Sequence, residues 1–244
     1  AAPPAGARAR VPAADPGFRI VFEDDALLVI DKPAGVAVHG GSGVSAGVIE
    51  RLRASRPGLR FLELAHRLDK ETSGLLMLAK KRAALAAVHA ALREGRVRKQ
   101  YLALVRGRFP AGRRTVDAPL RKYLTVGGER RVSVDRAAGK TSRTLFAVER
   151  EAGPHTLLAV TLDTGRTHQI RVHAAHLGHP ILGDEKYGDF ELNKALAKRG
   201  LRRMFLHAAR LELAHPATGE RLVLEAPLPR ELADFLADAA GTDD

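Results

Sequence analysis

The 244-residue chain contains no cysteine, two methionines and only 5% aromatic residues. Without cysteine there is no disulfide, no thiolate nucleophile and no Cys-ligated zinc or iron–sulfur centre; this suits a reducing compartment, and the cytoplasm is the expected setting. Long hydrophobic runs are missing as well. Apolar stretches such as residues 26–30 and 75–79 fall far short of the roughly 20 residues that a membrane-spanning helix needs. Residues 1–16 lack the continuous apolar core of a signal peptide, so no membrane partner is expected. Acidic residues are scarce relative to basic ones: 28 Asp plus Glu stand against 40 Lys plus Arg, a net charge of +12. Such a surface attracts polyanions, and nucleic acid is the first partner to consider. An apolar content of 45% with 28% charged residues argues against disorder or a coiled coil over the whole chain, and the length suits one domain with a sizeable core.

Residues 1–17 hold four of the thirteen prolines and show no apolar period, which reads as a linker or tail, with one domain over 18–240. Residues 18–22 and 26–31 read as short strands, followed by the turn residues Lys32-Pro33-Ala34-Gly35 before 36–38, and a hairpin is expected here. Helices are expected over 45–55 (Val48, Ile49, Leu52), around Leu85, Val88, Ala91 and Leu92, and over 167–177 with Gly178 as its cap. Strands are expected at 75–79, 98–105, 143–148, 156–162, 205–213 and 221–225. Because helices interrupt the strands irregularly, the pattern fits an α+β fold, a mixed or mostly antiparallel sheet with flanking helices, better than a doubly wound parallel one.

Three apparent motifs fail on context. Gly43-Val44-Ser45-Ala46-Gly47 has the spacing of a hydrolase nucleophile elbow, but its lead-in is the flexible His39-Gly40-Gly41-Ser42 rather than a buried strand, so Ser45 reads as a helix cap. Gly139-Lys140-Thr141 would end a phosphate-binding loop only if position 134, which is Val134, were glycine. His173, His176 and His179 are spaced like metal ligands, yet Gly178 and Pro180 end the helix and turn His179 away, so no metal site is expected.

Chemistry concentrates in two segments. In His66-Arg67-Leu68-Asp69-Lys70-Glu71-Thr72-Ser73-Gly74 an acid is flanked by cations; it reads either as a solvated turn or as a carboxylate held ionised for nucleophilic attack. In Thr164-Gly165-Arg166-Thr167-His168-Gln169-Ile170-Arg171-Val172-His173 a glycine turn sets Arg166 at the start of a helix that also carries His168, Gln169 and Arg171, a platform suited to phosphates.

These two segments, together with Lys32-Pro33-Ala34-Gly35, Lys99-Gln100-Tyr101-Leu102-Ala103, Gly178-His179-Pro180-Ile181-Leu182-Gly183-Asp184 and Leu206-His207-Ala208, resemble the signatures of the RluA family of pseudouridine synthases, over about residues 18–228. The stretch from Tyr187-Gly188-Asp189 to His215-Pro216-Ala217-Thr218-Gly219-Glu220 is most similar to the RluC branch, whose members modify uridines in large-subunit (23S) ribosomal RNA. The resemblance implies a pseudouridine synthase fold and a cofactor-free isomerisation in which uridine is flipped from the helix and its base rejoined to ribose through carbon. It further implies Asp69 as the catalytic aspartate, Arg166 as the arginine paired with it, and Tyr101 as the aromatic residue under the target base, with a role in proton transfer. Ile170 and Leu206 would line the uracil pocket, Arg67 would enter the space the nucleotide vacates, and His66, Gln169 and Arg171 would also contact substrate. Arginine suits that gap because it can both stack and bind phosphate. The partner implied is ribosomal RNA, bound by a monomer. Relatives on this branch generally carry an N-terminal S4 RNA-binding module; residues 1–17 would be its leftover linker, and its loss is expected to weaken RNA affinity more than chemistry. An RNA-binding module without catalysis, or a serine hydrolase acting through Ser45, are the competing readings. Retention of Asp69, Tyr101 and Arg166 weighs against the first.

Overall fold

The strand Ser73–Ala79 (β4) is buried along its whole length because its side chains alternate between two cores. Leu76 and Leu78 enter one, while Leu75, Met77 and Ala79 enter the other. Leu27–Lys32 (β2) divides in the same way, with Leu28 and Ile30 opposite Leu27 and Val29. Strands covered on both faces appear in the sequence as unbroken apolar runs rather than as alternation.

The computed structural model describes residues 17–40 and 46–241, so most of the tail read at 1–17, and Ser45, lie outside the described residues. Around β2 and β4 the main sheet adds Arg19–Glu23 (β1), Glu63–Leu64 (β3), Arg98–Arg106 (β5), Arg113–Asp117 (β6), Arg143–Ala152 (β9), His155–Leu162 (β10), Leu206–Ala214 (β11) and Arg221–Glu225 (β12). Its order is β1-β2-β4-β11-β5-β10-β9-β6, with β3 beside β4 and β12 beside β11. Leu120–Leu124 (β7) and Arg130–Val134 (β8) form a separate antiparallel hairpin. Helices Val48–Ser55 (α1) and Gln169–His176 (α3) pack into the first core, Arg82–Arg93 (α2) into the second, and Phe190–Lys198 (α4) and Arg230–Ala240 (α5) into a third around Leu104, Leu157 and Phe205. The architecture is the mixed, mostly antiparallel α+β sheet with flanking helices that the sequence pattern favours.

Several local expectations are corrected. The hairpin is β1 with β2, turned by Asp24, whose Oδ1 accepts from Ala26 N (2.8 Å) and Leu27 N (2.7 Å). Residues 36–38 form no strand; the carbonyls of Ala37 and Val38 instead accept the first N–H groups of α1. That helix is capped at Gly47 and not at Ser45: Glu50 Oε2 reaches back to Gly47 N (2.8 Å) and Gly40 N (3.0 Å). Helix α3 begins two residues later than expected because His168 before it is left-handed, φ 56°.

One pairing positions the rest. Strand β11 runs parallel to β4 for two residue pairs, His207 with Ser73 and Ala208 with Gly74, and every other neighbour in the sheet is antiparallel. Parallel strands start at the same end of a sheet, so the loop that precedes β4 lies beside the first residues of β11. Gly74 permits this approach. It has φ +109°, and a Cβ there would stand 2.3 Å from the Ala208 carbonyl oxygen. Gly74→Ala is therefore expected to cost well over about 1 kcal/mol of stability, beyond an ordinary glycine-to-alanine change. Thermal unfolding is the check, and a Tm lower by several degrees is the expected result.

Candidate active site

The loop between β3 and β4 carries Asp69 and is pinned from behind. Lys32, fully buried at the end of β2, donates Nζ to three carbonyl oxygens: Pro33 (2.8 Å), Val36 (2.9 Å) and Lys70 (3.1 Å). Burial, with help from the Arg203 charge, pulls the lysine down to about 7, while Glu71 and Asp69 pull the other way. Three carbonyl acceptors call for an ammonium, since a neutral amine has only two N–H donors. Lys70 O also accepts from Gly35 N (2.9 Å), which ties the Lys32-Pro33-Ala34-Gly35 turn to the loop. Behind it Arg203 Nη2 donates to Ser73 Oγ (2.8 Å), which lies 2.9 Å from His207 Nδ1. Asp69 O accepts from Thr72 N (3.1 Å), closing the turn that presents the carboxylate.

The second segment is built around Gln169. Its side chain, 2% exposed, donates to Arg143 O and Thr144 Oγ1 (both 2.9 Å) and accepts from Thr164 Oγ1 (2.7 Å) and Arg166 N (2.9 Å). Its donors and acceptors are engaged inside the protein, so Gln169 shapes the 164–166 turn rather than forming part of a phosphate platform. Arg166 stands exposed on that turn, with Nε donating to Thr141 O (3.1 Å).

The expected pairing of Asp69 with Arg166 is replaced by one with Arg171, whose Nη1 donates to Asp69 Oδ2 at 3.1 Å. Arg171 is itself buried, and its Nε and Nη2 fork onto Asp184 Oδ2 (2.7 Å) and Oδ1 (2.8 Å). Asp184 is fully buried and also accepts from Lys186 N (2.8 Å) and Tyr187 N (3.1 Å). Burial raises the Asp184 pKa, but the Arg171 fork and the two backbone donors outweigh it and hold the carboxyl below its usual range. The physical reason for the change of partner is position. Arg171 lies within α3 three residues before the buried Ala174, so it faces inward, whereas Arg166 lies outside the helix. The sequence carries part of the signal, since position 171 shares a helical face with Ala174, but Asp184 lies outside the helices and only the fold brings it to Arg171.

Asp69 opens onto a pocket of about 310 Å³ walled by Tyr101, Leu162, Ile170 and Leu206. That size suits a small-molecule or single-nucleotide site. Tyr101 on β5 is buried, and burial, then the Asp69 charge, pushes its phenol up. His66 lines the same pocket; its Nε2 accepts from Met77 N (3.1 Å), and burial, with the Lys99 charge, pushes it down to about 4, so it is neutral at pH 7. Arg67 is exposed beside Asp69 and borders this pocket and two adjoining grooves of about 490 and 720 Å³. The larger groove runs along the hairpin past Arg121, Lys122, Arg130 and Arg131. The structure thus brings His66, Arg67, Asp69, Tyr101, Arg166, Gln169, Ile170, Arg171 and Leu206 to one pocket. Sequence reasoning left Lys32, Asp184 and Tyr187 without roles.

The other motifs resolve simply. His173 is buried, with Nδ1 2.8 Å from Thr144 Oγ1 and Nε2 2.9 Å from Ala118 O. His179 Nδ1 lies 2.9 Å from Arg106 O. Among the described residues no group of three or more His, Cys, Asp or Glu side chains could hold a metal ion, and no helix is long and apolar enough to cross a membrane.

Comparison with known proteins agrees with this geometry. Residues 26–176, from β2 to the end of α3, match a family model described as RNA pseudouridylate synthase. A protein of Yersinia pestis named ribosomal large subunit pseudouridine synthase C is 54% identical over 217 residues, 89% of this chain and 68% of the relative. Its namesake in Escherichia coli (strain K12) is 54% identical over 215 residues, 87% of this chain and 67% of the relative. The solved structure of human RNA pseudouridylate synthase domain containing 1 superposes with a TM-score of 0.73 at 30% identity, covering 92% of this chain and 89% of that one. Human RNA pseudouridylate synthase domain containing 4 gives 0.73 at 28% identity, covering 90% and 92%. The chain belongs to the RNA pseudouridylate synthase family, and within it to the RluA group that its motif blocks resemble.

Proposed function

We propose that this pseudouridine synthase isomerises uridines of large-subunit ribosomal RNA, with Asp69 as its nucleophile. The observation that carries the reading is a carboxylate clamped by a buried guanidinium at 3.1 Å and facing an apolar-walled pocket with an aromatic floor. The substrate class rests on the relatives' names and on the +12 charge of the chain.

A base inside a duplex must be unstacked, at a cost of a few kcal/mol, before a side chain can reach it. Arg67, exposed at the pocket mouth, fills the vacated space, and the groove along the hairpin tracks the phosphates. Asp69 then initiates cleavage of the bond between ribose C1′ and uracil N1. The base turns within the pocket between Tyr101, Ile170 and Leu206, and C5 bonds to C1′. The C5 proton leaves and N1 takes one up, so the reaction balances with no oxidant, reductant or water consumed. Arg171, anchored by Asp184, keeps Asp69 ionised and aimed. Arg166 on the exposed turn binds a backbone phosphate. The enzyme is further proposed to act as a monomer in the cytoplasm, where ribosomal RNA is its substrate.

Three variants test the reading. With ribosomal RNA labelled with tritium at uracil C5, tritium release is expected from the native enzyme and to fall at least about 10³-fold in Asp69→Asn; activity intact in that variant would overturn the assignment. Arg171→Ala, which strands two carboxylates, is expected to lose about 3–5 kcal/mol of stability. Arg166→Ala is expected to unfold like the native protein while weakening RNA binding and flattening its salt dependence by about one phosphate contact. Denaturant titration and binding at several salt concentrations distinguish the two arginines.

A further inference from the structure

His168 gathers observations that the mechanism above does not use. It is the one non-glycine residue with positive φ (56°) among the described residues. Such a conformation is uncommon outside glycine and tends to mark functional sites. Helix capping does not account for it, since the side chain makes no cap hydrogen bond. The backbone turn directs the imidazole toward the catalytic loop, where Nε2 lies 4.0 Å from Asp69 Oδ2. The same ring borders the pocket and both adjoining grooves.

The far side of the ring is anchored. His168 Nδ1 lies 2.8 Å from the Tyr187 hydroxyl, which accepts from Val132 N (2.9 Å) on β8 of the basic hairpin. The tyrosine ring also lies 5.1 Å from the Arg171 guanidinium. With its oxygen already accepting from Val132, Tyr187 has one proton to give, and the described residues offer it no acceptor other than His168 Nδ1. With the Tyr187 hydroxyl as the donor, Nδ1 accepts and Nε2 carries the proton, pointing at Asp69. Burial pushes His168 down from its ordinary value against the pull of Asp69, which favours the neutral ring this arrangement needs.

We propose that His168 is a positioning residue for Asp69, donating Nε2–H to the carboxylate and linked through Tyr187 to the RNA-facing hairpin. The inference rests on Asp69 being the nucleophile. At 4.0 Å the contact is too long for a hydrogen bond, as is common in unliganded sites, and it closes when RNA engages the hairpin. Arg171 already donates to Oδ2, so a second donor on that oxygen holds the carboxylate with Oδ1 toward the pocket.

The test compares His168→Gln with His168→Asn under saturating RNA in single turnover, with RNA Kd and thermal unfolding measured alongside. A glutamine amide nitrogen can reach the place of Nε2 and retain the donor to Asp69, whereas an asparagine amide stops near Nδ1. Asparagine, however, is the residue better suited to the left-handed backbone. A purely structural role therefore ranks Asn at or above Gln, and a donor role ranks Gln above Asn. The expected result is a rate constant about tenfold lower in His168→Asn, substantially retained in His168→Gln, with Kd unchanged in both. Asn equal to or faster than Gln would overturn the proposal. Tyr187→Phe supplies a second variant, expected to slow the same step about threefold without weakening binding; an unaltered rate would also overturn it. Asp69→Asn is the control: activity surviving there would remove the nucleophile assignment itself, whatever the histidine variants show.

Discussion

The site depends on a chain of buried charge, Asp69 to Arg171 to Asp184. A guanidinium inside a core is costly unless its donors are met, and here Nε and Nη2 are met by Asp184 and Nη1 by Asp69. Asp184 in turn is satisfied by backbone N–H groups of Lys186 and Tyr187. Asp69 completes the network at the end that opens to the pocket. Its direction is thus set by groups that cannot relax without leaving a buried charge unpaired, which is the preorganisation that the nucleophile role proposed for it requires.

That chain could not form without the backbone arrangement beneath it. The parallel contact of β4 with β11, made possible by Gly74, sets the Asp69 loop beside Leu206, and β5 then places Tyr101 opposite Ala208. Lys32 gathers the carbonyls of two loops and Arg203 supports Ser73 from behind. Helix α3 presents Ile170 to the first core and Arg171 to Asp69 from adjacent positions, so one helix supplies both the apolar wall and the counter-charge. The hairpin is held to α3 through Val132 and Val172, so its basic groove and the pocket share a support.

Much of this was legible in the sequence because the buried strands announce themselves. The runs at 26–30 and 75–79 read as strands, and the glycine-bounded segment at 164–173 read as a turn into a helix. Asp69 and Tyr101 stood out by the motif blocks that hold them. Strands β6 and β7 were missed because they are largely solvent-exposed and basic, and β8, half-buried, because its two valines follow two arginines and make too short an alternation to mark a strand. Helices α4 and α5 did carry a signal. Asp189 accepts from Leu192 N as an N-cap, and Leu232, Phe235, Leu236 and Ala239 follow the helical period. The choice of Arg166 over Arg171 failed for a different reason. Proximity to a glycine turn suggests exposure and anion binding, but which arginine reaches Asp69 depends on the helix face, and that follows from the left-handed start at His168, which residue type alone does not specify.

The central claim, that Asp69 is electrostatically coupled to Arg171 and not to Arg166, is tested most directly by paired double-mutant cycles in denaturant. Asp69→Asn combined with Arg171→Gln is predicted to show a coupling of about 1–3 kcal/mol, and Asp69→Asn combined with Arg166→Gln none beyond about 0.5 kcal/mol. A large coupling to Arg166 with none to Arg171 would contradict the account.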